Sequence, residues 1–436
     1  MKEVVRVTDA RLAALLDRQA TQYAGSDQIN LERITVLLDR LGRPQDRLPP
    51  VFHVAGTNGK GSTCAFLRAG LEAAGKRVHA FTSPHLVRYN ERIRLAGSLI
   101  DDERLADTMS RVLDANEGIG ASLFEINTAA AMIAFTEVPA DACILEVGLG
   151  GRLDATNMVD RPLVTGIASL GLDHQQFLGR RMVDIAREKA GIAKRGVPLV
   201  AQRYPARLAA AIGEVAAKAG ATWLPRGGQW DARLVRGRIR YRDRDGELDL
   251  PVPRLPGLHQ AMNAALAVAM LRHQSAIPVP ASALNAAMGW TQWPARLQQL
   301  HSGPFLEMLP AGSELWIDGG HNPSAARLVA DHVRKAWADG VPLVLLYASL
   351  KSKDSEGTLS PFRGLADRVL TLPIEGHECR SPEELSTLAA GMGFASSAHQ
   401  GIADALTAVR KASRVLVFGS LYLAGEALSL NGSAPD

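Results

Sequence analysis

The sequence predicts an α/β protein of two domains, the first built on a parallel sheet covered by helices on both faces and the second a smaller α/β domain. Short apolar runs typical of buried strands alternate with longer segments of helical spacing, and glycine-rich or polar motifs follow several of the strands. At 436 residues the chain exceeds the usual length of one domain. The alternation breaks at Trp293-Pro294-Ala295-Arg296, so we predict domains at 1–296 and 297–436.

Strands of the first domain are predicted at VFHVA, KRVHAFTS, DACILEVGLGG, PLVTGIASL and VPLVAQ. Its helices are predicted at CAFLRAGLEAAG, DDERLADTMSRVLDAN, FEINTAAAMIAFTEV, MVDIAREKAGI, HQAMNAALAVAMLRH and PASALNAAMGW. Residues 231–252 alternate apolar and polar side chains and contain Asp-Gly, which predicts an antiparallel hairpin. Strands of the second domain are predicted at ELWIDGG, PLVLLYAS, ADRVLTLP and RVLVFGS, with helices between and after them.

Composition narrows the class of function. Apolar residues at 47% and charged residues at 22% are typical of a globular protein, and 5% aromatic residues argue against a stacking platform for nucleic acid. The net charge of +4 is not concentrated in any run, which favours a basic pocket for small anions. Three separated cysteines and an N-terminus without an apolar export segment lead us to expect a cytoplasmic protein that contacts no membrane.

The most specific motif is the turn Gly-Thr-Asn-Gly-Lys-Gly-Ser at residues 56–62. It lies between a predicted strand and a predicted helix, where backbone N–H groups and Lys60 can hold nucleotide phosphates. Its hydroxyl lies one residue later than in the common G-x-x-x-x-G-K-[ST] loop, which points away from ordinary kinases and GTPases. The alternative, a tight turn without a ligand, gives no use to the lysine or the hydroxyl groups.

Four further positions carry chemistry-bearing side chains. Glu146 lies inside an apolar strand, where a carboxylate needs a partner or a metal ion. Ser83 and His174 follow other strands; alone they predict a turn and a structural histidine, but beside Glu146 they are candidate ligands of Mg²⁺ or phosphate. Lys189 lies in a predicted helix, where composition alone favours a solvated surface residue.

Two clusters remain. The loop at 148–154 is glycine-rich and carries Arg152 and Asp154, which can approach and fix a ligand, although a structural turn with a surface ion pair is the alternative. Near and beyond the domain boundary, Arg296 and the run Asp318-Gly319-Gly320-His321-Asn322-Pro323 place polar groups at a strand end. We expect the second domain to close there over a nucleotide bound to the first.

Together these motifs resemble the Mur ligase superfamily and, within it, the folylpolyglutamate synthase family, which includes bifunctional dihydrofolate synthases. The runs that match, in the order of the family and over nearly the whole chain, are HVAGTNGKGS, TSPHLVRYNERIR, LEVGLGGRLDATN, LDH, EKAGI, LPGLHQAMNA and DGGHNP. The resemblance implies a P-loop-type ATPase domain like the Mur ligase central domain, followed by a smaller Rossmann-like α/β domain. Two departures, Ala295 and Gly320 where the family often has glycine and alanine, concern only the local backbone.

The resemblance also implies roles for individual residues. ATP-binding positions are Thr57, Asn58, Gly59, Lys60, Gly61, Ser62, Asn263, Arg296, Asp318 and His321. Positions that organise Mg²⁺ are Ser83, Glu146 and His174, and positions lining a pteroate pocket are Ser122, Leu123, Phe124, Glu125, Leu153, Asp154 and Ala155. Lys189 matches a lysine that carries a carboxylated ε-nitrogen, which overturns the surface interpretation; Lys60, His174 and Lys189 are therefore the catalytic candidates.

The implied activity is ATP-dependent addition of L-glutamate to dihydropteroate and to tetrahydrofolates through an acyl phosphate. Two Mg²⁺ ions serve the reaction, the resemblance leaves room for a monovalent cation, and a monomer that binds no nucleic acid is expected. The alternatives are a cell-wall Mur ligase acting on a nucleotide-linked muramyl substrate and a nucleotide-binding regulator without catalysis. The folate-type motifs argue against the first, and the presence of Glu146, His174 and Lys189 argues against the second.

Overall fold

The computed structural model describes residues 10–22 and 29–435. These residues divide into two compact units. One unit comprises the described chain up to Arg254 together with His259–Gln292, and the other comprises Leu255–Leu258 and the chain from Trp293 onward. A boundary between residues 296 and 297 stays a prediction.

The first unit is centred on an eight-stranded sheet of order β4-β3-β2-β5-β1-β6-β7-β8. Its strands are β1 (Val51–Ala55), β2 (Val78–Phe81), β3 (Ile93–Leu95), β4 (Ser98–Leu99), β5 (Ala142–Glu146), β6 (Val164–Ile167), β7 (Pro198–Ala201) and β8 (Thr222–Pro225). The five predicted strands are present, but the sheet is mixed, because β3 pairs antiparallel with β2 and β4 pairs antiparallel with β3. The five predicted strands pair in parallel as expected. Strands β3 and β4 were not predicted, because three- and two-residue strands give little periodic signal.

The helices of this unit cover the sheet. They are α1 (Ala10–Gln22), α2 (Glu32–Arg40), α3 (Lys60–Ala73), α4 (Asp102–Ala115), α5 (Leu123–Glu137), α6 (Gln175–Leu178), α7 (Met182–Ala190), α8 (Ala206–Ala219), α9 (Leu258–Arg272) and α10 (Ala281–Trp290). Of these, α3, α4, α5, α7, α9 and α10 match predicted segments, whereas α1, α2, α6 and α8 were not predicted. Single 3₁₀ turns lie at Pro44–Arg47, Tyr89–Arg92 and Ala155–Met158. Helices α3, α5 and α9 are Ala-rich and buried over most of their length, as helices pressed onto a sheet require.

The register of the central strands determines where the site lies. Parallel pairing sets Val54 of β1 opposite Glu146 of β5, and Ala55 of β1 opposite Ile167 of β6. The loops that follow β1, β5 and β6 therefore leave the same edge of the sheet, which is where parallel α/β sheets bind ligands.

The predicted hairpin at 231–252 is one part of a three-stranded antiparallel sheet formed by β9 (Trp230–Val235), β10 (Arg238–Asp243) and β11 (Gly246–Pro251). The second turn contains the predicted Asp-Gly. The first turn uses Arg236 and Gly237, both at positive φ (49° and 71°), as a tight two-residue hairpin needs. Because Arg236, rather than glycine or asparagine, occupies the first of these positions, this hairpin was not predicted as a separate turn.

The second unit has a six-stranded sheet of order β12-β13-β17-β14-β15-β16. Its elements are β12 (Gln298–Leu300), α11 (Pro304–Glu307), β13 (Glu314–Ile317), α12 (Pro323–Ala336), β14 (Leu343–Tyr347), α13 (Ser355–Leu359), a 3₁₀ turn (Ser360–Phe362), β15 (Arg368–Thr371), α14 (Pro382–Gly391), β16 (Ala395–Ala398), α15 (Ile402–Thr407), β17 (Arg414–Phe418) and α16 (Leu421–Leu430). The strands are parallel except β12, which pairs antiparallel with β13. The two edge strands β12 and β16 were not predicted.

Among the described residues, no helix is both long enough and apolar enough to cross a membrane. The N-terminal run on which the expectation about an export segment rests lies mostly outside the described residues, because residues 1–9 are not among them.

Candidate active site

The glycine-rich turn forms the start of α3 directly after β1. Gly59 takes φ +83° at the helix N-cap, and a Cβ there would lie 2.5 Å from Oδ1 of Asn263, so only glycine fits. The N–H of Thr57 donates to the carbonyl of Ser169 (2.8 Å), and its hydroxyl donates to the carbonyl of Gly171 (3.0 Å), which anchors the turn to the loop after β6. The first N–H groups of α3 and the Lys60 ammonium thus present positive charge at the sheet edge, as phosphate binding requires.

Glu146 ends β5 next to this turn. Its side chain is 4% exposed, and its Oε2 accepts the backbone N–H of Ser83 at 3.2 Å. The structure therefore brings together two of the predicted magnesium positions from different strands. One buried carboxylate beside a serine suits Mg²⁺, which takes few protein oxygens and completes its shell with phosphate and water. Within the described parts of the chain, no three His, Cys, Asp or Glu side chains gather into a complete metal site, so those additional oxygens would be needed.

Lys189 is buried rather than solvated. Its side chain, on the last turn of α7, is 4% exposed, and its Nζ donates to the carbonyl of Gly56 at 2.9 Å. Burial lowers the pKa of Lys189 to about 7, with the positive charge of Lys60 as the second cause, while Asp173, Asp154 and Glu188 act in the opposite direction. The surface interpretation drawn from composition is wrong, and the amine loses its proton far more readily than that of an exposed lysine.

The glycine-rich loop at 148–152 is packed onto the end of α7. The N–H of Arg152 donates to the carbonyl of Glu188 (2.9 Å), and its Nε lies 3.0 Å from Oε2 of Glu188. A Cβ on Gly151 would lie 2.9 Å from the carbonyl oxygens of Glu188 and Lys189. The motifs LEVGLGG and EKAGI, far apart in sequence, therefore form one wall of the site.

His174 is the most exposed of the candidate ligands. It takes φ +49° before α6, its side chain is 40% exposed, and its backbone N–H donates to Oδ1 of Asp173 at 2.9 Å. The Asp173 carboxylate is 9% exposed, and its charge raises the pKa of Lys189. Sequence reasoning assigned no role to Asp173, although an acidic residue in the loop between β6 and α6, next to His174, is a signal that could have marked it.

The predicted pteroate positions have mixed environments. Ser122 and Glu125 form the capping box of α5, and Glu125 also accepts from Nε of Arg33 at 3.2 Å. The Phe124 ring lies against Gly148, where a Cβ would be 2.3 Å from the ring, and 5.8 Å from the ring of Phe81. Phe81 is fully buried and the two rings are tilted by 45°, so the half-buried Phe124 ring is the member of this pair that can meet a ligand beside the glycine-rich loop. The fit of Leu123, Leu153 and Ala155 to a pteroate stays a prediction.

The predicted nucleotide positions fall into the two units. Asn263, on α9, is 5% exposed, and its side chain packs directly against Gly59 of the turn at 56–62, called the phosphate turn below. In the second unit, buried Asp318 accepts the N–H groups of Leu297 (2.9 Å) and Gly320 (2.7 Å), and burial raises the pKa of Asp318.

Arg296 and His321 lie beside that carboxylate. Nη1 of Arg296 donates to the carbonyl of Ala295 (2.9 Å), and Nδ1 of His321 is 3.0 Å from the carbonyl of Gly319. Gly320 departs from the family pattern for a local reason, because a Cβ there would lie 2.7 Å from the Phe418 ring.

A glycine-rich turn with a lysine, a buried carboxylate and a buried lysine at the edge of a parallel sheet are the features expected of an ATP-using enzyme of the Mur ligase type. Comparison with known proteins agrees. A sequence model for the dihydrofolate synthetase C-terminal domain matches residues 307–430. The dihydrofolate synthase/folylpolyglutamate synthase of Escherichia coli (strain K12) is 34% identical over 94% of this chain and 93% of its own. The chain belongs to the dihydrofolate synthase/folylpolyglutamate synthase family.

Solved structures support the same assignment. E. coli FolC in complex with DHPP and ADP has a TM-score of 0.86 and 30% identity, covering 97% of this chain and 98% of that one. The bifunctional folylpolyglutamate synthase/dihydrofolate synthase of Yersinia pestis CO92, complexed with AMPPNP and Mn ion, has a TM-score of 0.83 and 32% identity, covering 96% and 97%. The two-domain α/β fold expected from the sequence is confirmed.

Proposed function

We propose that this protein is an ATP-dependent ligase that forms an amide between a folate carboxylate and L-glutamate. The observation that carries the proposal is the convergence of the Lys60 turn, Glu146 and buried Lys189 at one sheet edge, in a chain of this family. A phosphate turn alone would suit many nucleotide enzymes. The buried carboxylate and the low-pKa amine add the means to neutralise and align two anionic reactants.

In the proposed reaction the folate carboxylate attacks the γ-phosphorus of ATP, which gives an acyl phosphate and ADP. The amine of glutamate then attacks the acyl carbon, phosphate leaves with the electron pair of the broken C–O bond, and the amine loses a proton. Lys60 and the N-terminus of α3 hold the phosphates, and Asn263 supports the turn. His174, whose side chain is partly exposed before α6, contacts the phosphate that is transferred. Bound Mg²⁺, held by Glu146 with Ser83 and His174, supplies charge neutralisation.

The proposal includes a carboxylated Lys189. Carbamate formation requires a neutral amine, in which the nitrogen attacks CO₂ and releases a proton. The lowered pKa of Lys189 supplies that neutral form, whereas an exposed lysine would be almost fully protonated at pH 7. The modification turns a buried cation into an anion that can support a second Mg²⁺. A monovalent cation is the remaining cofactor that the proposal allows.

We propose that both dihydropteroate and tetrahydrofolates are acceptors. Several relatives carry both names, while the Saccharomyces cerevisiae relative is named dihydrofolate synthetase and the Lacticaseibacillus casei relative folylpolyglutamate synthase. The half-buried Phe124 ring beside the glycine-rich loop suits the flat pterin–benzoyl body that the two acceptors share. A monomeric cytoplasmic enzyme completes the proposal; the buried free thiols of Cys64 and Cys143 suit a reducing compartment.

The test measures ADP release with dihydropteroate or tetrahydrofolate, with and without L-glutamate. We expect release only when an acceptor and glutamate are both present, with an amide product in each case. Lys60→Ala should reduce this turnover by about 10³-fold or more, because one phosphate-holding cation in a water-excluded site is worth several kcal/mol. Lys218→Ala, a change of an exposed helix lysine, is the matched control. Near-normal turnover in Lys60→Ala, or release that does not depend on glutamate, would contradict the proposal.

A further inference from the structure

A buried series of hydrogen bonds, called here the hydrogen-bond chain, joins β1, the strand before the turn at 56–62, to the glycine-rich loop at 148–154. His53, on β1, is fully buried, and its Nε2 lies 2.8 Å from Oγ1 of Thr156. That hydroxyl lies 2.5 Å from Oδ1 of Asp154. The other carboxylate oxygen of Asp154 accepts the N–H of Leu149 at 2.8 Å. The chain therefore runs from the strand before the phosphate turn to the loop that borders Lys189.

The direction of each proton in this chain is determined by the donors. Asp154 receives the N–H of Leu149, the N–H of Thr156 and the Thr156 hydroxyl, so it acts as an acceptor in all three. Because Thr156 has given its only hydroxyl proton to Asp154, it can only accept from His53. His53 is therefore the tautomer with the proton on Nε2.

The other ring nitrogen shows why a histidine at this position is informative. Nδ1 of His53 is buried and has no hydrogen-bond partner among residues 10–22 and 29–435, and leaving a buried ring nitrogen unpaired is unfavourable. Burial, with a smaller effect from Lys194, lowers the pKa of His53 to about 3, so the ring stays neutral at working pH. Leucine or phenylalanine would fill the space without an unsatisfied nitrogen. The Nε2–H donor is the one thing that histidine adds.

The far end of the chain lies where the acceptor is expected. Asp154 caps the 3₁₀ turn at Ala155–Met158 and holds Leu149, so its carboxylate sets the course of the loop between them. Gly148, at the start of that loop, lies against the Phe124 ring. A shift of this loop would change the surface offered to a pterin while leaving the phosphate turn, anchored separately to Ser169 and Gly171, in place.

We propose that His53 is a positioning residue for the folate acceptor, acting through Thr156 and Asp154 on the loop at 148–153. This inference rests on the proposed function, since it assigns a specificity element to that site. Loss of the chain weakens binding of the acceptor and leaves binding of ATP unchanged. His53 itself touches no substrate.

Three variants test the chain. In His53→Gln the amide nitrogen takes nearly the place of Nε2 and can still donate to Thr156, whereas in His53→Asn the amide nitrogen takes the place of Nδ1 and cannot reach. Thr156→Val removes the hydroxyl without changing the shape. We expect the KM for tetrahydrofolate to rise about tenfold in His53→Asn and Thr156→Val, and to stay within about twofold in His53→Gln. The KM for ATP should not change in any of them.

Thr165→Val is the matched control. Thr165 lies opposite His53 in the register of β6 and is equally buried, but its hydroxyl donates to the carbonyl of Pro198 (3.1 Å), outside the chain. The double variant His53→Asn/Thr156→Val should be no worse than either single change, because both remove the same connection. A similar rise in KM for Thr165→Val, or unchanged KM in His53→Asn, would overturn the inference.

Hydrogen exchange of the loop gives a readout that does not need activity. Amides of residues 148–156 should exchange faster in His53→Asn and Thr156→Val than in the wild type, and at the wild-type rate in His53→Gln. A wild type without folate-dependent ADP release would overturn the proposed function alone, and the exchange rates would still decide whether the chain holds the loop. Equal exchange rates in the wild type and the three variants would overturn the inference that the hydrogen bonds from His53 hold this loop.

Discussion

Lys189 shows how the environment of one residue changes its chemistry. A lysine in water binds its proton until about pH 10, but here α7 directs the side chain under the phosphate turn, where burial and Lys60 lower the pKa to about 7. Between these two values the unfolded chain binds a proton that the folded chain does not. The stability contributed by this group therefore rises with pH from about 7 to 10.5, and below about pH 7 the fold carries the full cost of a buried cation.

Replacement of Lys189 tests the proposed carbamate. Lys189→Ala should lose most of its ligase activity, and bicarbonate or a short carboxylic acid that enters the space should restore part of it. In the wild type, activity should fall reversibly below about pH 7, because protonation of the amine removes the form that binds CO₂. Native mass spectrometry should show about 44 Da of added mass on the active protein. An unmodified lysine in a fully active preparation would contradict the carbamate.

At the scale of elements, the contact between the glycine-rich loop and α7 is closer than any side chain permits. We expect Gly151→Ala to destabilise the protein by about 1–3 kcal/mol, because the new methyl group would meet the backbone of Glu188 and Lys189 rather than a movable side chain. Chemical denaturation measures the loss, and kcat should fall with it as Lys189 is displaced. Gly289→Ala in α10 is the control, since a Cβ there has no neighbour within 4 Å. Equal stability of Gly151→Ala and Gly289→Ala would show that the glycine-rich loop moves away from α7 without cost, which would contradict the prediction.

Elements whose information is local could be predicted from sequence. The strand–turn–helix segment of β1, the phosphate turn and α3 was predicted because apolar spacing, glycines and Lys60 lie within one short stretch of sequence. Strand β16, with sequence ASSA, has no apolar pattern, and it forms because β15 offers it a parallel partner at the sheet edge.

The same limit applies to the candidate site. Helical spacing could not show that Lys189 is buried, since the groups that cover it, such as the carbonyl of Gly56, come from a distant part of the chain. The His53–Thr156 contact joins residues 103 positions apart and left no local signal. Motif resemblance supplied the role of Lys189 but none for His53.

At the scale of the whole molecule, each compact unit has an apolar core of its own. The core of the second unit is formed by α12, α14 and the central strands, with Tyr347, Phe362 and Phe418 among its largest buried side chains. Leu297, just before β12, belongs to the same core, and its N–H donates to buried Asp318. The second unit thus has the core of an independent domain, and residues 297–300 are part of it.

We therefore expect a fragment from Trp293 to the C-terminus to fold alone. It should unfold cooperatively in urea, with a free energy of unfolding of about 5–10 kcal/mol and a far-ultraviolet circular dichroism spectrum of mixed α/β type. A fragment from Pro304 lacks β12 and Leu297, which removes one N–H donor to Asp318 and exposes an edge of the sheet. It should be less stable by about 3–8 kcal/mol, the sum of about 2–5 for a lost core leucine and about 1–3 for the carboxylate oxygen of Asp318 that loses its N–H donor. Equal stability of the two fragments would place β12 outside the domain, and a non-cooperative longer fragment would show that the second unit depends on the first.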